Sequence, residues 1–564
     1  MVKYKTFLWH LAQVRFSNLK YIKETALLLL RELMTKYIII TGGVLSGLGK
    51  GILTASIGNL ISHNKRCATI KCDGYLNVDP GTMNPIEHGE VFVLDDGTEC
   101  DMDFGHYERF VGVTAKGNWN LTMGKVFKSI LDKERKGDFL GKTVQLIPHV
   151  TDEIKNRIYS IAKEEQADIV FIEIGGTVGD LENGLYLEAV RQLAWEQGCD
   201  NAMFAHLSYV PVPTGVNEQK SKPTQMSVKL LNEIGIRPDV VVCRCSEYLT
   251  PKIRKKISLF CNLPEENVFT GVDVESVYLL PHELRKQGLE KIIENKLRLK
   301  LDTRDSKKWD NLAKKMCNGH KARVKIGICG KYTALGDSYA SVVEAIRHSA
   351  ANLDVGVDIE MIDTERIEKG EEIGDVLEGI GGVIVPGGFG NRGWEGKISV
   401  IKYVRENNIP FLGICLGLQA AVTEFARNVC GLKDANSAEM DKKVEHKVIA
   451  LMDEQKGVVD MGGTMRLGAY GANLKEGIIS KLYKSKKVSE RHRHRFEVNP
   501  EYHKVLDKMG MTLCGMSPSG KLVEFIEIPK HKYFVATQAH PELKSKLEEP
   551  APLFFGLLKA AVEK

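Results

Sequence analysis

The chain reads as an α/β protein with two doubly wound, mostly parallel sheets, one in each half. Three observations predict this. The 564 residues exceed the length at which one core stops growing, about 250–300 residues. Short apolar strands alternate with helical patterns in both halves, as in parallel sheets covered on both faces. Between residues 299 and 323 the chain turns polar and charged, and then the pattern restarts. The expected domains are therefore 34–300 and 324–564, joined by a linker at 301–323.

Taken in order, residues 37–41 (YIIIT) form the first strand, with Gly42-Gly43 and a helical pattern over 50–63 behind it. Residues 67–72, 168–174 and 240–244 are further strands. In the second half, 324–329, 382–385 and 410–414 are strands and 338–351 is helical. Hydrophobic content of 43% and charged content of 27% fit a globular protein. The net charge of +5 is small for this length and does not suggest a general nucleic-acid binder, although local basic clusters can still grip phosphates. The runs RHRHR and RKK are short and lack interleaved aromatic platforms. The 12 cysteines include no CxxC pair, so reduced thiols in the cytosol are expected rather than zinc or a disulfide framework. No run of about 18 apolar residues occurs, so no transmembrane helix is expected. Residues 1–33 carry six basic and two acidic side chains, most of the net charge. They read as a basic extension that is either an organelle transit peptide or, as expected here, a stretch ahead of Met34 as the working start.

Two stretches carry chemistry. Residues 42–51 (GGVLSGLGKG) link a strand to a helix, where backbone N–H groups, the helix start and Lys50 suit a phosphate. The strict P-loop is not met, because Gly51 stands where Ser or Thr would hold magnesium. Carboxylates must then hold the metal. Asp101, Asp103 and Glu173 are candidates, with Asp101 the one expected to be a solvated surface charge. Lys220 to Gln225 (KSKPTQ) suits an anionic substrate, although alone it reads as an exposed basic loop. In the second half, residues 411–417 (FLGICLG) have the G-x-C-x-G spacing of a nucleophile elbow, with Cys415 at a helix start that favours thiolate. His540-Pro541-Glu542 offers a base and its orienting carboxylate, on one face of an extended stretch. Backbone N–H groups at Gly388 and Leu416 suit an oxyanion hole.

These segments resemble a known family. PGGFG, GICLGLQ and HPE are similar to class I glutamine amidotransferases. TGGVLSGLGKG, NVDPGTMNPIEHGEVFVLDDG, GHYERF, EIGGTVGDLE and KSKPTQ resemble the amidoligase domain of the CTP synthase family, a P-loop-like fold of dethiobiotin-synthetase type. GGTMRLG and RHRHRFEVNP belong to the same pattern, and SGLGK, DSYASV and RHRHRFEVNP resemble its eukaryotic branch. The resemblance implies that Ser46 lies at the UTP/CTP triphosphate site. It implies that Gly47, Leu48, Gly49, Lys50, Gly51 and Ile52 cradle ATP, with Lys71 in the same nucleotide site. Asp103 and Glu173 would hold Mg2+, and Asp103 would also touch ATP, whose base Val272, Asp273 and Val274 border. Asp180, Leu181, Glu182, Lys220, Ser221, Lys222, Pro223, Thr224, Gln225 and Lys256 would line UTP and CTP. Gly388, Leu416, Gly417, Leu418, Gln419, Glu439 and Arg493 would hold glutamine, and Cys415, His540 and Glu542 would form a triad. His88 and Val91 match an ammonia passage.

The implied reaction is ATP-dependent amination of UTP through a 4-phosphorylated intermediate, with ammonia cut from glutamine. GTP would activate, CTP would inhibit, and the enzyme would be a cytosolic homotetramer, in some members filamentous, with no nucleic-acid or membrane partner. Gly74, Ala438 and Ala539 depart from the family pattern. Gly74 is expected to loosen a loop, and Ala539 either to open the triad to water or to let His540 wander. Two rivals stand at this stage: another ligase fused to the same glutaminase, and a structural subunit without turnover.

Overall fold

The computed structural model describes residues 34–563 apart from 82, 84–88, 302–305, 318–321, 332–335 and 452–464. The expectations for residues 1–33 and His88 lie outside the described residues.

The first sheet has seven strands: β1 (Lys36–Gly42), β2 (Cys67–Asp73), β3 (Asn120–Thr122), β4 (Ile169–Ile174), β5 (Ala202–Tyr209), β6 (Val240–Cys245) and β7 (Val268–Val272). Their order is β3-β2-β4-β1-β5-β6-β7, and every pairing is parallel. β1 (KYIIITG) is buried along its whole length, as a strand covered on both faces must be. The chain winds one way from β1 to reach β2 and the other way to reach β5. The loop after β1 therefore opens into the crevice at a topological switch point, where α/β sheets bind ligands. Helix α1 (Lys50–Ile61) follows that loop, and α2 (Asp103–Val111) packs on α1. Helix α3 (Lys222–Glu233) follows β5.

The polar segment holds a helix, α4 (Lys307–Lys315), which the sequence reading left as linker. Its Trp309 is buried and donates its indole N–H to the Tyr278 carbonyl at 3.0 Å. Tyr278 in turn stacks on Phe110 with centroids 4.7 Å apart. This aromatic group belongs to a core cluster that also takes in Ala351, Leu543 and Leu547 of the second half.

The second sheet has nine strands: β8 (Arg323–Gly330), β9 (Gly356–Asp363), β10 (Gly382–Val385), β11 (Phe411–Ile414), β12 (Arg466–Leu474), β13 (Lys487–His494), β14 (Thr512–Met516), β15 (Val523–Glu527) and β16 (Phe534–Thr537). Their order is β9-β8-β10-β11-β16-β15-β14-β12-β13. The pairings from β9 to β16 are parallel, and those beyond β16 are antiparallel. Helices α5 (Ala340–Leu353) and α6 (Leu416–Asn428) cover it. The antiparallel strands are absent from the sequence reading, and one of them, β13 (KVSERHRH), has no apolar pattern to reveal it.

Candidate active sites

Cys415 sits between β11 and α6 at φ 51° and ψ −100°, a conformation L-residues rarely adopt. Three features hold it there. Its N–H donates to the Thr537 carbonyl at 2.7 Å. A β-carbon on Gly413 would lie 2.8 Å from the Gly417 backbone, and one on Gly417 would lie 2.1 Å from the Val385 carbonyl. The two flanking glycines are thus required by close approach rather than by their own torsions.

The sulfur accepts a contact from Gln538 Nε2 at 3.6 Å and reaches the Arg493 carbonyl at 3.7 Å. His540 Nδ1 bonds Glu542 Oε1 at 2.7 Å. The expected extended stretch is not what joins them: Pro541 starts a 3-10 turn (Pro541–Lys544), which folds Glu542 back under the ring. Burial disfavours charge on His540, but Glu542 and the nearby Cys415 outweigh it and raise the imidazole to about 10. Gly387 leaves room for the ring, since a β-carbon there would lie 2.7 Å from His540 Cε1. Ala539 does not open this site. It is fully buried, and the next amide, that of His540, is pinned to the Arg491 carbonyl at 2.7 Å.

A cavity of about 110 Å³ joins this triad to the first half. Gly388, Phe389 and Arg493 line one side, and Glu90, Val91 and Val93 the other. Leu416 opens α6, so its N–H is among those with no intrahelical partner. Glu439 accepts from the Gly390 N–H at 2.7 Å, and burial raises its carboxyl. Arg493 donates Nε to Glu99 of the first half at 2.7 Å. Of the other residues expected at glutamine, Leu418 lies in the core, and Gln419 donates to the Phe496 carbonyl at 3.0 Å.

In the first half, Val44, Gly47 and Gly49 take positive φ as the loop turns around Ser46 into α1. Lys50 donates to the Gly176 carbonyl at 2.6 Å, and burial lowers its pKa. Lys71 lies between the two expected metal ligands, bonded to Asp103 and, at 2.7 Å, to Glu173. Glu173 also accepts from Tyr107 at 2.6 Å and Thr54 at 3.1 Å. Burial works against the Asp103 carboxylate, but Lys71 outweighs it and holds its pKa low. Gly51 now has a reason: a β-carbon there would lie 1.9 Å from Asp103 Oδ1. The missing hydroxyl is what lets the carboxylate reach the helix start. Asp101 is no solvated charge, as it accepts from the Asp103 N–H at 2.9 Å just before α2. No group of three or more metal-ligating side chains occurs among the described residues. Two carboxylates are the donor type magnesium prefers, and here the Lys71 ammonium stands between them.

Asp180 accepts from the Thr177 N–H at 2.6 Å and hydroxyl at 2.8 Å, beside Gly176. Leu181 is 92% exposed and Glu182 is exposed next to it. Gly74 does not loosen its loop: a β-carbon there would lie 2.9 Å from the Glu182 carbonyl, so the two segments are in direct contact. The KSKPTQ stretch is no exposed basic loop. Lys222 and Pro223 open α3, Thr224 donates to the Tyr209 carbonyl at 3.1 Å, and Gln225 donates to Ser221 at 3.0 Å. Lys220 pairs with Glu218 at 2.7 Å, and that carboxylate, held low first by Lys220, also lies in the field of Lys256. Sequence reasoning missed Arg244. It donates to Asp273 at 2.9 Å and to the Leu48 carbonyl at 3.1 Å, tying the 272–274 stretch to the phosphate loop. Its signal was a charge near the carboxyl end of a parallel strand.

Comparison with known proteins agrees with this two-site layout. A family profile described as CTP synthase N-terminus matches residues 36–299, and one described as glutamine amidotransferase class-I matches 334–560. A CTP synthase of Borreliella afzelii is 53% identical over 93% of this chain and 99% of its own length. One of Methanococcus maripaludis is 52% identical over 94% and 100%. Both relatives are prokaryotic, whereas three motifs resemble the eukaryotic branch. The glutaminase domain of Trypanosoma brucei CTPS, solved with bound acivicin, is 40% identical over 43% of this chain and 94% of its own, with a TM-score of 0.40. The chain belongs to the CTP synthase family, glutamine-hydrolysing ligases of pyrimidine biosynthesis that aminate UTP to CTP with ATP.

Proposed function

We propose that Cys415, His540 and Glu542 release ammonia from glutamine, and that it crosses the interdomain cavity to a UTP activated within the loop of residues 46–52. The observation that carries this reading is the cavity itself, walled by the triad on one side and by Glu90 and Val91 on the other. Cys415 Sγ attacks the glutamine amide carbon. The oxyanion is met by N–H groups at Gly388 and Leu416. His540 passes its proton to the leaving nitrogen, ammonia departs, and a glutamyl thioester remains. Water, deprotonated by His540, then releases glutamate. Glu439 and Arg493 suit the amine and carboxylate of the glutamine.

Lys50 and the loop amides hold the ATP phosphates, and uracil O4 takes the γ-phosphoryl group to become a good leaving group. Asp103 and Glu173 would hold magnesium, which supplies charge neutralisation to the transferring phosphate. Ammonia adds at C4 and phosphate leaves. Asp180, Leu181, Glu182, the 220–225 segment and Lys256 take UTP or, competitively, CTP. The family reading extends to GTP activation, a cytosolic homotetramer, filament formation and the division 34–300, 301–323 and 324–564.

Purified protein given UTP, ATP and magnesium should form CTP from glutamine with GTP and also from ammonium chloride. Cys415→Ser should keep only the ammonium-dependent activity. No CTP from either source in the wild-type protein would refute the assignment.

A further inference from the structure

We propose that the first half supplies a structural part of the glutaminase site: Glu108 and Asp95 hold Arg491, and through it the stretch of β13 that positions His540 and Cys415. The inference rests on the triad assignment above.

The RHRHR run alternates along β13. His492 and His494 bond each other at 3.0 Å beside Glu524 and Arg466. Arg491 and Arg493 reach the other way, into the first half. Arg491 donates Nη1 and Nη2 to the two carboxylate oxygens of Glu108 at 2.8 and 3.0 Å, a bidentate fork. Its Nε donates to Asp95 at 2.5 Å. Arg491 is 2% exposed and Glu108 4%, so neither has water to fall back on. Asp95 reaches the guanidinium because its loop lies directly on β12. A β-carbon on Gly468, itself at φ +94°, would lie 2.7 Å from the Asp95 carbonyl, and the Ala469 N–H donates to that carbonyl at 2.9 Å.

The other end of the same stretch meets the chemistry. The Arg491 carbonyl accepts the His540 N–H, and the Arg493 carbonyl faces the Cys415 sulfur. Two carbonyls two residues apart thus position the base and the nucleophile. A buried guanidinium that loses its carboxylate must move to find another, and it would carry these carbonyls with it. Arg491 and Glu108 are therefore positioning residues, and the glutaminase is complete only while docked.

The test compares Glu108→Gln, Arg491→Lys and their double variant with wild type, in the full chain. Glutamine hydrolysis is measured across pH, and CTP formation is measured from ammonium chloride. Each single variant should lose at least tenfold in kcat for glutamine and shift the pH profile, while ammonium-dependent synthesis stays within twofold. The double variant should fall within about twofold of the worse single, because all three break one contact. Glutamine turnover within twofold of wild type would overturn the proposal, as would equal losses with both nitrogen sources. Asp95→Asn, at the half-exposed carboxylate partner of the guanidinium, covers a failure of the others to fold. It should show the same split, at least threefold, and its absence would also overturn the proposal. Wild-type activity with each nitrogen source, run alongside, separates failure of this inference from failure of the family reading.

Discussion

The two sites are built by different means. Around Cys415 the chain relies on shape: a residue at φ 51°, and glycines where a side chain would strike backbone or ring. Around Lys71 it relies on charge: a buried ammonium between Asp103 and Glu173, with Tyr107 and Thr54 using the remaining carboxylate oxygen. The first kind of site fails when an atom is added, the second when a charge is removed. The first fails locally, whereas the second takes stability with it.

Lys71→Met should have the largest effect. It leaves two buried carboxylates facing each other, and breaking such a set costs about 3–5 kcal/mol. Unfolding in urea should report that loss, and CTP formation should vanish with glutamine and ammonium alike. A variant that kept its stability would show that shape, not charge, governs both sites. Gly387→Ala should be smaller and confined. Its β-carbon would displace the His540 ring, and a misplacement of that order costs about 100-fold in rate. Glutamine hydrolysis should drop by that factor, with ammonium-dependent synthesis and melting temperature unchanged.

Glu542→Gln sharpens the comparison where charge enters the shape-built site. With Glu542 present, His540 titrates at about 10, above its ordinary value of about 6.5. The stabilisation from imidazolium is therefore full below about pH 6.5 and is lost as pH rises through about 10. Removing the carboxylate lowers the folded pKa, so the alkaline fall in glutaminase activity should move toward neutral pH. An unmoved limb would show that Glu542 only orients the ring.

The contrast also explains what the sequence could show. The elbow, the glycine loop and His-x-Glu are local: each sets its geometry within a few residues, so spacing was enough to read them. Asp103 and Glu173 were legible as acids near a phosphate loop. Lys71, which neutralises them, carried no local motif and entered only through family likeness. Arg491 and Arg493 read as part of a short basic run. Their carboxylate partners stand 383 to 396 positions away, and no local period announces a pairing at that range. β13 was missed for the same reason, since its Arg491 and Arg493 are answered from the other half.

The aromatic seam of Phe110, Tyr278 and Trp309 has a consequence for how the molecule melts. It shares one apolar cluster with Ala351, Leu543 and Leu547, which couples the halves beyond the clusters each has of its own. Heating should open both halves in one transition rather than two, and a chain nicked between them would remain a single particle. The peptide connection then serves mainly to deliver the halves in equal number, while the seam does the joining.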